Sequence, residues 1–220
     1  MSYGRTFPLW RDMAADWDAY TRAPFLAALA DGSLPHATFH DYLAQDYRFL
    51  IHFSRAWGLG VAKAGSPAEM RACARMVHAL MDTELSLHVD LCGKAGIPEA
   101  ALIATEECAG TLAYTRFVMD AGYSGGFLDL LAALAPCIFG YGEVGARLMA
   151  GRYAPAYAPW IEAYGGAEYQ DLCRSMAALL DRAVTDRLGD TPAAVPVWRD
   201  LGRTFATATT LEAGFWPRLG

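Results

Sequence analysis

Positive charge is in short supply: 18 Lys and Arg stand against 24 Asp and Glu, a formal net charge of −6. That balance argues against a nucleic-acid partner, because a polyanion surface needs a basic patch. Long apolar runs are also missing. The longest uncharged stretch, residues 130–142, has thirteen residues with a proline inside, short of the about 20 needed to span a bilayer. The first six residues lack the apolar segment of a secretory signal. The five cysteines (Cys73, Cys92, Cys108, Cys137 and Cys173) are odd in number, spread out, and never paired as C-x-x-C. Neither a zinc site nor a disulfide framework follows, and a reduced cytoplasmic protein without membrane contact is the expectation. No G-x-G-x-x-G, Walker loop, G-x-S-x-G or H-E-x-x-H occurs. Glu-x-x-His, which di-iron bundles need twice, occurs nowhere.

Valine and isoleucine are scarce too, outnumbered about five to one by alanine and leucine. That bias favours helix over sheet, and apolar residues recur at three and four positions rather than alternating. With 220 residues and 54% apolar content, the chain is long enough for a proper core. A first helix is expected through Trp10, Met13, Trp17, Tyr20 and Leu26, stopping at Asp31-Gly32. A second follows Pro35, carrying Phe39, Leu43, Asp46, Phe49, Leu50 and Phe53 on one face. Ser66-Pro67 opens a third, with Met70, Val77, Leu80, Met81 and Leu91, ending near Gly96. A short helix after Pro98, a loop containing Cys108 and Gly110, and a helix through Tyr114 and Met119 come next. Residues 127–149 form a helix apolar nearly all round, the mark of a bundle centre. Helices over 160–164, 168–188 and 196–216 complete an all-α, single-domain bundle of about eight helices over residues 1–220.

Several polar residues stand out on these apolar faces. Cys137 follows Pro136 inside the most apolar helix, with Tyr141 one turn on along the same face. A thiol beside a phenol at a proline-disturbed turn can be a nucleophile. A buried cysteine can equally be a small inert hydrophobe, and the spacing leaves both readings open. Asp46 and Glu212 are carboxylates on inward stripes, where they must be paired, hydrogen-bonded or protonated. With Tyr114 and Tyr164 they outline a polar–aromatic pocket for a flat heterocycle. Glu84 and His88 lie four apart, compatible with metal ligation or with a plain Glu–His hydrogen bond. All five histidines fall within the first 88 residues.

The runs 41–46 (DYLAQD), 113–115 (AYT), 130–137 (LLAALAPC) with 141–145 (YGEVG), 160–164 (WIEAY) and 211–216 (LEAGFW) resemble, in order and over about residues 8–218, the TenA/thiaminase II family. The resemblance implies a haem-oxygenase-like helical fold, a homotetramer (or dimer), and neither haem nor metal. It implies hydrolysis of 4-amino-5-aminomethyl-2-methylpyrimidine to the hydroxymethylpyrimidine in thiamin salvage, and cleavage of thiamin itself. By the same resemblance Cys137 is the nucleophile, Glu212 the essential acid, Asp46 the carboxylate that binds the pyrimidine's amino and ring nitrogens, and Tyr141 the phenol bonded to the thiol. Tyr114, Tyr164 and Phe215 match pocket residues. Phe49 departs from the tyrosine carried by the members compared, removing one hydroxyl. Two other readings compete: a di-metal oxidase using Glu84, His88, Glu143 and Glu212, and a non-enzymatic pyrimidine-binding or regulatory protein. The preferred substrate among the aminomethylpyrimidine, its formylated form and thiamin is left open.

Overall fold

A computed structural model describes residues 3–217. Among them are twelve α-helices and no strand: α1 (Thr6–Arg11), α2 (Trp17–Thr21), α3 (Pro24–Asp31), α4 (His36–Lys63), α5 (Pro67–His78), α6 (Leu85–Lys94), α7 (Glu99–Ala104), α8 (Ala109–Ser124), α9 (Phe127–Ala150), α10 (Ala158–Gly165), α11 (Ala167–Leu188) and α12 (Val197–Ala213). A π-helical segment, Ala79–Glu84, joins α5 directly to α6. The chain divides into two compact units, one of residues up to Leu34 and from Leu131 onward, the other of residues 35–130.

In the 35–130 unit, α4 is the spine, packed by α5, α6, α7 and α8. Phe39, Leu43, Asp46, Phe49, Leu50, Phe53 and Trp57 are all buried along it, the i, i+3, i+4, i+7 stripe the sequence predicts. Each large apolar side chain so buried contributes about 1.5–3 kcal/mol. The α4–α5 corner is held by reciprocal caps. The Ser66 hydroxyl accepts from Glu69 N–H at 3.3 Å, and the Glu69 carboxylate accepts from Gly65 N–H at 2.6 Å. Pro67 supplies the first helical position. The expected loop at Cys108–Gly110 is shorter than anticipated, because Cys108 is the N-cap of α8 and Gly110 is already helical. Gln45 of α4 makes this possible: its side-chain oxygen accepts from Cys108 N–H at 2.9 Å and from the Thr111 hydroxyl at 2.7 Å. It supplies from another helix the acceptor that a local cap would have given.

In the other unit the expected first helix is three short ones. Pro24 has no N–H to continue a helix and instead sits at the start of α3, whose end is the left-handed Gly32. Met13, Met70 and Met81 are each more than 40% exposed, and Met81 sits in the π segment. α9 runs unbroken past Pro136. It is long and apolar enough to cross a membrane, yet 89% of its apolar window is buried, as in the core helix of a folded domain. Its glycines let other elements approach its backbone. A Cβ on Gly140 would stand 2.1 Å from the Tyr20 ring, and one on Gly145 would stand 2.3 Å from the Tyr164 backbone carbon.

Gly145→Ala is therefore expected to lower the unfolding free energy by about 1–3 kcal/mol, since the obstacle is backbone that cannot rotate away. Gly58→Ala, with nothing within 4 Å of the new methyl, should gain about 0.5–1 kcal/mol in helix α4. Urea denaturation of the two variants checks the contrast.

Candidate active site

The sequence-predicted residues fall into two groups, one in each unit. In the first, α9 presents Cys137 and Tyr141 one turn apart, both buried. Proline at 136 leaves the helix one donor short, and the Pro136 carbonyl accepts from the Tyr20 hydroxyl at 3.4 Å. Tyr141 sits in an aromatic box: its ring centroid is 4.9 Å from Tyr164, 5.5 Å from Trp216, 5.9 Å from Trp160 and 6.5 Å from Tyr20. These separations are those of favourable offset and tilted ring pairs. Tyr164 is placed by α10, which Gly145 allows to lie on α9. Trp216 is fixed by its indole N–H, which donates to the Tyr20 carbonyl at 2.9 Å. Glu212 is 1% exposed near the end of α12, and Phe215 is buried just beyond it.

In the 35–130 unit, Asp46 is 2% exposed on α4. The Tyr42 hydroxyl, one turn earlier, donates to Asp46 Oδ2 at 3.1 Å. His88 Nε2 lies 2.7 Å from the same oxygen, and His88 Nδ1 lies 2.8 Å from the Glu84 backbone carbonyl. The Glu84–His88 hydrogen bond is therefore present, with the Glu84 main-chain oxygen as acceptor, and the carboxylate that pairs the ring at its other nitrogen is Asp46. Burial alone would push the His88 pKa down. The hydrogen bond and charge of Asp46, with the Glu84 charge and carbonyl, outweigh that and raise it. Phe49 stacks on Tyr114 at 5.2 Å and 18°, and on Phe53 at 5.1 Å. Phe49 and Tyr114 therefore form an apolar platform, with no hydroxyl from position 49.

Glu143, a member of the di-metal set, is committed elsewhere. Arg11 donates to it at 3.0 Å and the Trp17 indole N–H at 2.9 Å. Among the described residues no three His, Cys, Asp or Glu side chains converge in the way a metal requires. A cleft of about 560 Å³ is lined by Arg11, Arg22, Arg147, Trp17 and Glu143, and by none of the residues that the family resemblance picks out. Arg22 there is paired with Asp18, and the Arg147 guanidinium donates to the Thr21 carbonyl.

The model of the TENA/THI-4/PQQC family matches residues 10–219. The chain belongs to that family. An uncharacterized protein of Haemophilus influenzae is 36% identical to it over 91% of each chain. An aminopyrimidine aminohydrolase of Halalkalibacterium halodurans is 32% identical, covering 91% of this chain and 88% of its own. A solved structure described as a TenA family transcription regulator, from a Silicibacter species, superposes with a TM-score of 0.95. It is 51% identical and covers 97% of this chain and 96% of its own. The all-helical TenA fold expected from the sequence is the fold of this chain.

For this TenA chain, sequence reasoning missed His88 as the partner of Asp46, and Tyr20, Trp160 and Trp216 as the walls around Tyr141. The tryptophan of the 160–164 run and that of the 211–216 run were in view without a role. Nothing in the spacing pairs residue 46 with residue 88.

Two measurements bear on the thiols and on the ion pair. Burial works to raise the Cys108 pKa, but the Thr111 hydroxyl and the N–H groups of Thr111, Gly110 and Cys108 itself lower it on balance. Burial, with Glu69 nearby, pushes Cys73 up to about 12, and burial raises Cys92 as well. Limited iodoacetamide treatment followed by peptide mass spectrometry should therefore label exposed Cys108 well before Cys73 or Cys92. His88 has a raised folded-state pKa, so its stabilisation is complete below the unfolded value of about 6.5 and is lost as pH rises through the folded one. Urea midpoints at low and high pH should show that decline in the wild type and a smaller one in Asp46→Asn.

Proposed function

We propose that the protein is an aminopyrimidine aminohydrolase of thiamin salvage, acting through covalent cysteine catalysis, and that residues 1–220 work as one domain. The observation that carries this reading is the relative so named, 32% identical across nine-tenths of both chains. A hydrolase in thiamin metabolism is the coarser statement that other aminopyrimidine aminohydrolases, of Bacillus subtilis and Helicobacter pylori, also support. The cysteine mechanism and the site residues are the finer part.

The chemistry uses residue types that buried helices of this chain carry. An amine on the methylene of a pyrimidine is a poor leaving group. Asp46 accepts from the substrate amino group and fixes the ring, with Phe49, Tyr114, Tyr164 and Phe215 as aromatic surfaces. Glu212, whose burial favours the protonated form, gives its proton to a ring nitrogen. The Cys137 thiolate, oriented by Tyr141, forms a C–S bond to the ring carbon beside the one bearing the aminomethyl group. The ring's own amino group gives a proton to the leaving amine as the electron-rich adduct expels ammonia, leaving an exocyclic methylene. Water adds its oxygen there, its proton returns to the ring system, and the C–S bond breaks as aromaticity is restored. Glu212 recovers its proton. The sum is one amine and one water exchanged for one alcohol and one ammonia, by nucleophilic and general acid catalysis together.

A second reading has one observation in its favour: the 51% identical structure is described as a transcription regulator. A regulator that only binds pyrimidine would bind without releasing ammonia, and the net charge of −6 disfavours direct DNA contact. We further propose a cytoplasmic homotetramer, which sedimentation of the purified protein tests.

Ammonia release from the aminomethylpyrimidine, its formylated form and thiamin is the deciding assay. Turnover of the first is expected. Cys137→Ser should reduce it on the order of a thousandfold or more while product binding survives. Glu212→Gln should flatten the pH–rate profile. Binding without ammonia release by the wild type would favour the regulator. Near-normal hydrolysis by Cys137→Ser would end the covalent mechanism.

A further inference from the structure

Asp46 is a carboxylate in a place where carboxylates are costly. It is 2% exposed on the inward face of α4, and a charge buried to that degree must be matched by partners. The matching is one-sided. Both of its hydrogen bonds, from Tyr42 at 3.1 Å and with His88 at 2.7 Å, fall on Oδ2. Among the described residues none reaches Oδ1, and Oδ1 is not one of the buried side-chain atoms lacking a partner.

The His88 ring is bound at both ends. Nδ1 faces the Glu84 main-chain carbonyl at 2.8 Å. A carbonyl oxygen can only accept, so Nδ1 carries a proton. Nε2 faces an oxygen that already accepts from Tyr42, and it too serves as a donor. An imidazole donating from both nitrogens is an imidazolium, charge-matched to the carboxylate beside it. The carbonyl bond also fixes the ring plane, as the outer partner of a bound histidine commonly does. Its acceptor belongs to the last residue of the π segment, a helix form frequent at functional sites. His88 itself is fully buried, so this is no surface pair weakened by solvent.

We infer that His88 is a positioning residue for substrate recognition: tied to the Glu84 carbonyl at one nitrogen and to Asp46 Oδ2 at the other, it keeps Asp46 a carboxylate and directs Oδ1 to accept from the amino group of the aminopyrimidine. The groups that face the His88–Asp46 pair are the Tyr42 hydroxyl on α4 and the carbonyl and carboxylate of Glu84. This inference rests on the reading of Asp46 as the amino-group anchor. It adds that the anchor's charge and direction are set by a residue that does not touch substrate.

The test compares wild type with His88→Leu, which removes both donors, and His88→Gln, which retains one amide donor to Asp46. A charge-assisted hydrogen bond is worth about ten- to a hundredfold in an equilibrium. His88→Leu is expected to raise KM for the aminomethylpyrimidine about 30-fold, with kcat per folded molecule changed less than about threefold on the same basis. His88→Gln should recover most of the KM. A merely structural role would lower the melting temperature and the folded fraction and leave KM alone. The second measurement needs no turnover. Nitrogen-15 NMR of the full-length protein at about pH 8, where an ordinary histidine is neutral, should show a proton on both His88 nitrogens, and one of them should be lost in Asp46→Asn. If the wild type releases no ammonia, the functional reading fails while the doubly protonated ring still upholds the hold on Asp46. A bare ring nitrogen in the wild type, or a His88→Leu enzyme with unchanged KM, overturns the inference.

Discussion

A helix can rest against bare backbone only where its neighbour carries no side chain, and α9 offers that surface repeatedly. Gly140 takes the Tyr20 ring, Gly142 lies under Tyr3 and Cys173, and Gly145 takes the turn of α10 at Tyr164. Glycine is unfavourable inside a helix by roughly 0.5–1 kcal/mol each, so three in six residues weaken α9 by itself. The packing they permit outweighs that loss. Tyr20 and the turn carrying Tyr164 can lie this close to α9, beside Tyr141, only because Gly140 and Gly145 have no Cβ. The aromatic box is thus set by what α9 lacks, while Cys137 and Tyr141 are set by what it carries.

Two neighbouring polar residues inside the 35–130 unit are handled by a different rule: each is answered by a partner from another helix. Gln45 of α4 caps α8 through Cys108 and Thr111 and donates to the Glu106 carbonyl at 2.9 Å. Asp46, next to it in sequence, is answered by His88 across the unit. Neighbouring residues on one helix therefore serve different ends. One closes a loop, and the other is a buried acid whose two hydrogen bonds both fall on one oxygen. Buried polar pairs of this kind are sensitive to the loss of either member, because the survivor is left desolvated and unmatched.

How much of this was legible beforehand depends on the range of the signal. The helix from 127 to about 150, the stripe along α4 and the Ser66-Pro67 start are all local patterns, and the sequence carries them in full. The three-way split of the first helix was signalled by Pro24 and passed over because the apolar period continued through it. The π segment left no trace in the apolar period, which runs through it as one helix. Cys137, Tyr141, Asp46 and Glu212 were picked out because polar groups on apolar faces are conspicuous, and the burial of all four bears out that part of the reading. Their roles came from resemblance. His88 was invisible as a partner of Asp46 because a contact across 42 residues has no period at all, whereas the Glu84–His88 hydrogen bond, four residues apart, was legible, its acceptor being the main-chain oxygen.

The π segment has a consequence for how the chain tolerates change in length. A π turn holds one more residue than an α turn, and each residue of an α-helix advances the side-chain direction by about 100°. Deleting any one residue between Ala79 and Glu84 would let α5 and α6 merge into regular helix. It would leave His88 facing nearly the same way, because six residues at the π pitch and five at the α pitch sweep nearly the same angle around the helix axis. The surplus length is therefore taken up locally by the π turn, and the direction of a histidine four positions beyond Glu84 survives it.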